Sequence, residues 1–257
     1  MKFKKVAAVV AGSLLVISTA QAGLIRSNVA YGMTNAQNAE AAFIAGSYAY
    51  ITETFDNASS FGLANFSGQI IPGSEQNSWI DSRASYTTAA GTFRVIQGDI
   101  GAGSNEQNPN NLMIESDDTG EFGREMLGAS NFWLDSNDAQ SVEWSFANIN
   151  ATFDSLGFYL VDANDQGARL ILRYFDGSSS SIAITSGLSN GNVAYVSLVA
   201  DSSLVNATIT FDNNGDTNRE TNDGWAINDV TVAKVPEPTT LAFLGLGLLG
   251  LFAARKR

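Results

Sequence analysis

The feature that most constrains the fold is a recurrent alternation of apolar and polar residues with a period of two. In Ser179–Thr185, Ile182 and Ile184 alternate with Ser181, Ala183 and Thr185. In 204–211, Val205, Ala207, Ile209 and Phe211 alternate with Leu204, Asn206, Thr208 and Thr210. Leu156, Phe158 and Leu160 repeat the pattern, as do Leu170, Leu172 and Tyr174. Successive side chains of a strand point to opposite faces, so this period marks strands with one buried face. Asp176-Gly177 and Asn190-Gly191 supply residues that tolerate positive φ, as tight hairpin turns require. Further strands are predicted near 48–55, 66–71, 92–97, 111–115, 142–146, 193–199 and 225–232. One helix is predicted, capped by Asn35 and running to Ala45, with Ala36, Ala39, Ala42 and Phe43 on one face. About a dozen short strands with closely spaced turns make an all-β chain. The expected fold is a jelly-roll-like antiparallel β-sandwich, with a single up-and-down barrel as the alternative.

Both ends of the chain read as targeting segments. Lys2, Lys4 and Lys5 precede an apolar or small-residue run from Val6 to Ala20, and Ala20-Gln21-Ala22 is an A-x-A cleavage site. Residues 1–22 are therefore a signal peptide, and signal peptidase leaves a mature chain that begins at Gly23. At the other end, Pro236-Glu237-Pro238 precedes a 16-residue uncharged run, Thr239–Ala254, and then Arg255-Lys256-Arg257. As a helix this run spans ~24 Å, short of the ~20 residues that usually cross a bilayer, which suits a temporary anchor. The basic tripeptide stays cytoplasmic. The two prolines keep the preceding segment extended, as a processing protease needs.

This order of elements resembles the PEP-CTERM sorting signal of Gram-negative bacteria. The resemblance implies recognition by an exosortase-type membrane protease, transient anchoring in the inner membrane, and delivery to the cell surface or exopolysaccharide matrix. An ordinary C-terminal membrane anchor is the alternative. Within the domain, Glu53-Thr54-Phe55-Asp56, Ser155-Leu156-Gly157-Phe158-Tyr159 and Asp223-Gly224-Trp225-Ala226-Ile227-Asn228-Asp229-Val230 resemble the sandwich domain that PEP-CTERM proteins often carry. That domain is similar in layout to carbohydrate-binding modules. The resemblance implies a structural calcium where the first and last strands meet, with Glu53 and Asp229 contributing. Asn228 stands where the motif usually has Asp, which weakens a metal role at that position.

Between the targeting segments lie 212 residues, 23–234, enough for one sizeable core. They carry 8 basic and 25 acidic residues, a net charge of −17, so nucleic acid and anionic lipid are poor partners. Cations, neutral glycans such as exopolysaccharide, and basic surfaces are better ones. With no cysteine, stability comes from the core or from bound ions. With no histidine, Ser-His-Asp and Cys-His hydrolases and conventional zinc enzymes are excluded.

The densest polar cluster runs from Asp212 to Asp223. Asp212, Asn214, Asp216, Glu220 and Asp223 fall at relative positions one, three, five, nine and twelve, the spacing of oxygen ligands in calcium loops. Thr217 occupies the position where an EF-hand needs glycine, and the flanks read as strands, so a polar Asx-turn loop is the other reading. Among the tryptophans, Trp144 and Trp225 fall in strand patterns and are expected in the core. Trp79 and Trp133 lie beside turn residues and are the candidates for stacking on sugar rings. Glu115, Asp117, Asp118, Glu121 and Glu125 form a second acidic run, read as a solvated loop. A glycoside hydrolase would need two carboxyl groups ~5–9.5 Å apart, which makes it the rival to a non-enzymatic structural or adhesive protein.

Overall fold

The computed structural model describes residues 23–56, 81–97, 111–116, 132–136, 139–163, 168–184, 191–211 and 225–236. In chain order the elements are β1 (Leu24–Tyr31), α1 (Met33–Gly46), β2 (Ala49–Glu53), β3 (Asp81–Arg83), β4 (Ser85–Thr88), β5 (Gly91–Gln97), β6 (Leu112–Ser116) and β7 (Phe132–Asp135). They continue with β8 (Ser141–Ser145), β9 (Ser155–Val161), β10 (Ala168–Tyr174), β11 (Ser179–Ile184), β12 (Val193–Ala200), β13 (Leu204–Phe211) and β14 (Ala226–Lys234). The strands divide between two antiparallel sheets, which makes a β-sandwich and rules out the single barrel. The larger sheet has the order β1-β12-β9-β14-β7-β6-β3, with β2 also paired to β14. The smaller has the order β11-β10-β13-β8-β5-β4.

The inward faces of the two sheets form one core. Its centre is Trp144, fully buried, stacked on Phe93 at 5.1 Å and meeting Phe146 and Phe158 edge-on at 5.1 and 6.0 Å. A buried indole N–H needs an acceptor, and this one donates to the Ala90 carbonyl at 2.8 Å. The turn carrying Ala90 closes through Gly91 at φ +133, where a Cβ would lie 2.7 Å from the Ser145 carbonyl. Trp225, 1% exposed, lies in the same core, as its strand pattern indicates.

Helix α1 adds a third layer on the outer face of the larger sheet. Ala36 and Phe43 pack with Tyr159, Val161, Val193, Tyr195 and Ala233 in a second apolar cluster. This explains why all seven residues of β9 are buried rather than every other one. The helix begins two residues before the expected cap. Gly32, at φ +80, turns the chain straight out of β1, and Asn35 instead donates its side-chain amide to the Tyr31 carbonyl at 3.0 Å. No side chain caps the N-terminus.

Three further expectations change. Strands β1, β3, β4 and β7 lie outside the segments read as strands. In β13 the inward residue at its start is Leu204, while Val205 is 39% exposed. Leu204 pairs with Tyr174 and Asn206 with Arg173, so Val205 is an extra residue and the pattern slips by one. Asp176-Gly177 does form the β10–β11 hairpin, with Gly177 at φ +85. Gly191 also has positive φ, but it precedes β12 in the larger sheet while β11 belongs to the smaller, so no hairpin forms there. The strand expected near 66–71, the signal peptide and the sorting helix lie outside the described residues. Among the described residues no helix is long and apolar enough to cross a membrane.

Candidate functional site

The three motif segments singled out in the sequence meet around β14. Val230 pairs with Glu53, Asn228 with Tyr159, and Thr231 with Gly157. Between Asn228 and Thr231 the register slips against β9, and Asp229 takes φ +45. This bulge sends two neighbouring acids to different faces.

Glu53 stands opposite the buried Val230, on the inner side, and is 6% exposed. Its carboxylate accepts the Phe55 N–H at 2.8 Å and is also bonded by the backbone N–H groups of Ala89 and Thr54. Burial raises its pKa, and those three donors oppose the rise. The carboxylate thus ties the end of β2 to the β4–β5 turn of the other sheet. It also braces Phe55, which holds φ +61 and packs edge-on to Phe93 at 5.9 Å.

Asp229 lies on the helix side of the sheet. Burial, then the charges of Glu40 and Asp56, push its pKa up to about 6. Glu40 accepts a 2.6 Å hydrogen bond from the Tyr159 hydroxyl, whose pKa rises through burial and that carboxylate. Tyr195 packs edge-on to Tyr159 at 5.0 Å with its hydroxyl buried and unpartnered. Burial raises its pKa first, followed by the charge of Glu40. Asn228 is fully buried, and its side-chain oxygen accepts the Asp229 N–H at 2.8 Å. This acidic, tyrosine-lined patch beside α1 was not recognised from the sequence. Its signal was there: Ala36, Glu40 and Phe43 have the i, i+4, i+7 spacing of one helix face.

The other expected site residues are placed as follows. No group of three or more acidic side chains able to hold a metal forms among the described residues. The loop residues Asp212, Asn214, Asp216, Glu220 and Asp223 lie outside the described residues, as do Trp79, Glu237, Pro238, Ala20 and Ala22. Pro236 is exposed just beyond β14, and Gly23 opens the described chain with its N–H on the Asp201 carboxylate at 2.6 Å.

Trp133 is not an exposed stacking face. It is 6% exposed in β7, and its indole N–H donates to Glu115 at 3.1 Å. Glu115 in turn is fully buried in β6 rather than part of a solvated acidic loop. Pairing of β6 with β7 sets Glu115 opposite Trp133, a contact across 18 residues that local sequence does not reveal.

Residues 234–257 match the PEP-CTERM protein-sorting motif. The motif indicates export and membrane-associated sorting, and implies processing by exosortase, a membrane protein. No curated protein matches the chain. Among solved structures, one mutant of a family 29 carbohydrate-binding module aligns at 10% identity and TM-score 0.29, covering 49% of this chain and 98% of that one. Another mutant of that module aligns at 12% identity and TM-score 0.29, covering 57% and 98%. The carbohydrate-binding and catalytic modules of a Clostridium thermocellum xylanase, complexed with xylohexaose, align at 8% identity and TM-score 0.27, covering 55% and 28%.

Proposed function

We propose that the chain is an exported, non-enzymatic protein of the Gram-negative cell surface or extracellular matrix, with a structural or adhesive role exercised on neutral glycans. The observation that carries this reading is the sorting motif at 234–257. Signal peptidase cuts after Ala22, and the exosortase acts at 236–238 while the tail holds the protein in the inner membrane. The net charge of −17 on 23–234 turns the domain away from nucleic acid and anionic lipid and toward uncharged polymers. Two buried carboxylates, Glu53 and Glu115, already accept bonds from the protein itself, which favours a structural use for them. Intact-mass measurement of surface-associated protein should give a chain that starts at Gly23 and lacks the apolar tail. Thr239–Arg257 retained on most molecules would make a permanent anchor the better account. That mature protein should then co-sediment with the producing organism's own exopolysaccharide; free protein in the supernatant would remove the glycan from the proposal.

One observation favours a second reading, a carbohydrate-active enzyme. Asp229, pushed up to about 6, stands beside Glu40 and Tyr159, and a carboxyl of that pKa can serve as a general acid. Release of reducing ends from the same exopolysaccharide, lost in Asp229→Asn, would establish it.

A further inference from the structure

Six large hydrophobic side chains are exposed among the described residues: Ile25, Tyr48, Tyr50, Ile96, Phe175 and Val205. All but Ile96 sit at one end of the sandwich. In the larger sheet that end is marked by the row Leu24–Ala200, Val199–Ser155, Ser155–Ala233 and Ala233–Tyr50, with Ile25 an extra residue beside Leu24. Tyr48 donates its N–H to the Lys234 carbonyl at 3.0 Å. In the smaller sheet, Phe175 donates its N–H to Ser203 at 3.0 Å, and Leu204, next to Val205, donates to Phe153 at 2.8 Å. Asp154, the residue after Phe153, donates its N–H to the Ala233 carbonyl of the larger sheet at 3.3 Å, so the 153–154 segment bonds both sheets at this end. Ile96 lies at the far end, between Val95 and Gln97, which pair with Val142 and Ser141.

Both targeting segments leave from this same end. The mature chain opens at Gly23, on Asp201, and β14 closes at Lys234. Strands β1, β12, β9 and β14 are successive neighbours, so the two exits lie ~14 Å apart at ~4.8 Å per strand. Only residues 235–238 separate Lys234 from the apolar run that starts at Thr239. Four residues reach ~14 Å at most, so an inserted tail would hold this end of the domain against the membrane.

We propose that this end is a membrane-apposed face. Ile25, Tyr48, Tyr50, Phe175 and Val205 enter the headgroup layer of a zwitterionic bilayer while the tail is inserted, and hold residues 235–238 at the surface for cleavage. Tyrosine suits that layer because its ring is apolar and its hydroxyl stays wet. Asp154, Asp176 and Asp201 at this end are matched by Arg26, Arg173 and Lys234, so the face is close to balanced in charge and the occupant is a neutral surface. The inference rests on the reading that the tail enters a membrane.

The chain has no cysteine, so single labels can be placed cleanly. The full chain carrying Phe175→Cys or Ile96→Cys, each with an environment-sensitive fluorophore, would be reconstituted in phosphatidylcholine vesicles containing headgroup spin-labelled lipid. Quenching should be several-fold stronger at position 175 than at 96, and should not increase when phosphatidylglycerol replaces part of the lipid. Equal quenching at the two positions, or none at 175, in vesicles that carry the protein on flotation would overturn the membrane-facing end. Stronger quenching with phosphatidylglycerol would overturn the neutral surface. Protein that does not float with the vesicles would instead overturn insertion of the tail, and this inference with it.

Discussion

Gly157→Ala tests whether helix α1 is seated on the sheet as closely as described. A Cβ at Gly157 would lie 2.9 Å from both Cδ1 and Cε1 of Phe43, and would press on the Tyr195 hydroxyl. Phe43 is 6% exposed and Tyr195 fully buried, their rings 6.3 Å apart, so neither can swing aside without lifting the helix or repacking its neighbours. Forcing an extra methyl into such a contact costs ~1–3 kcal/mol. Replacing glycine in a strand interior returns ~0.5–1 kcal/mol of backbone entropy. At mid-range values the net effect is a loss of ~1 kcal/mol. For a domain of this size that lowers the melting temperature by ~2–4 °C. Thermal denaturation of the mature protein followed by circular dichroism reads this directly. The combination with Phe43→Leu should cost less than the sum of the two single changes, because the smaller side chain vacates the space the methyl needs. A melting temperature for Gly157→Ala equal to or above that of the parent would refute the close seating of α1.

Asp229 makes a pH prediction. Its folded pKa of about 6 lies above the ordinary aspartate value of 3.8, so its stabilising protonation is complete below pH ~4 and lost as pH rises through 6. Stability should therefore fall between pH 4 and 6, and Asp229→Asn, which tolerates the positive φ, should flatten that fall in urea titrations across the range. A slope unchanged in the variant would assign the pH dependence elsewhere, with Glu53, also raised, as the next group to change. Calcium should stabilise the domain through the 212–223 loop by ~2.7 kcal/mol at one hundred times Kd, read as a raised melting temperature, and Asp216→Ala should abolish the effect. A melt indifferent to calcium and chelator would leave that segment a plain polar loop.

The strands legible from the sequence are those with one covered face. Ile182 and Ile184 in β11, and Leu170, Leu172 and Tyr174 in β10, point inward as their alternation requires. β9 and β12 are covered twice, by the opposite sheet and by α1, so a half-buried pattern understates their burial. β4, Ser-Tyr-Thr-Thr, has one large apolar residue, Tyr86, and its pairing with β5 rather than an apolar pattern defines it. Chemistry at the site was harder to read for a related reason. Glu53 and Asp229 were legible as residue types, and the meeting of β2 with β14 was foreseeable. Their divergence was not, because one extra residue in a strand reverses the face to which the next side chain points.

Such extra residues recur where the chain departs from a plain sandwich. Ile25 and Val205 break register in β1 and β13, and both stand exposed at the end where the targeting segments leave. Asp229 breaks register in β14 and carries an acid toward Glu40 at positive φ. A regular strand would bury the first two or leave them scattered, and would set Asp229 back in step with its neighbours. Bulges disrupt ladder pairing and cost backbone order, so a fold keeps them where a re-aimed side chain is of use. Here they add Ile25 and Val205 to the apolar rim at one end, leave Ile96 exposed at the other, and place an acid in the patch on one face. That rim and that patch are the two surfaces that alternation alone did not reveal, and the two on which the membrane and glycan experiments bear.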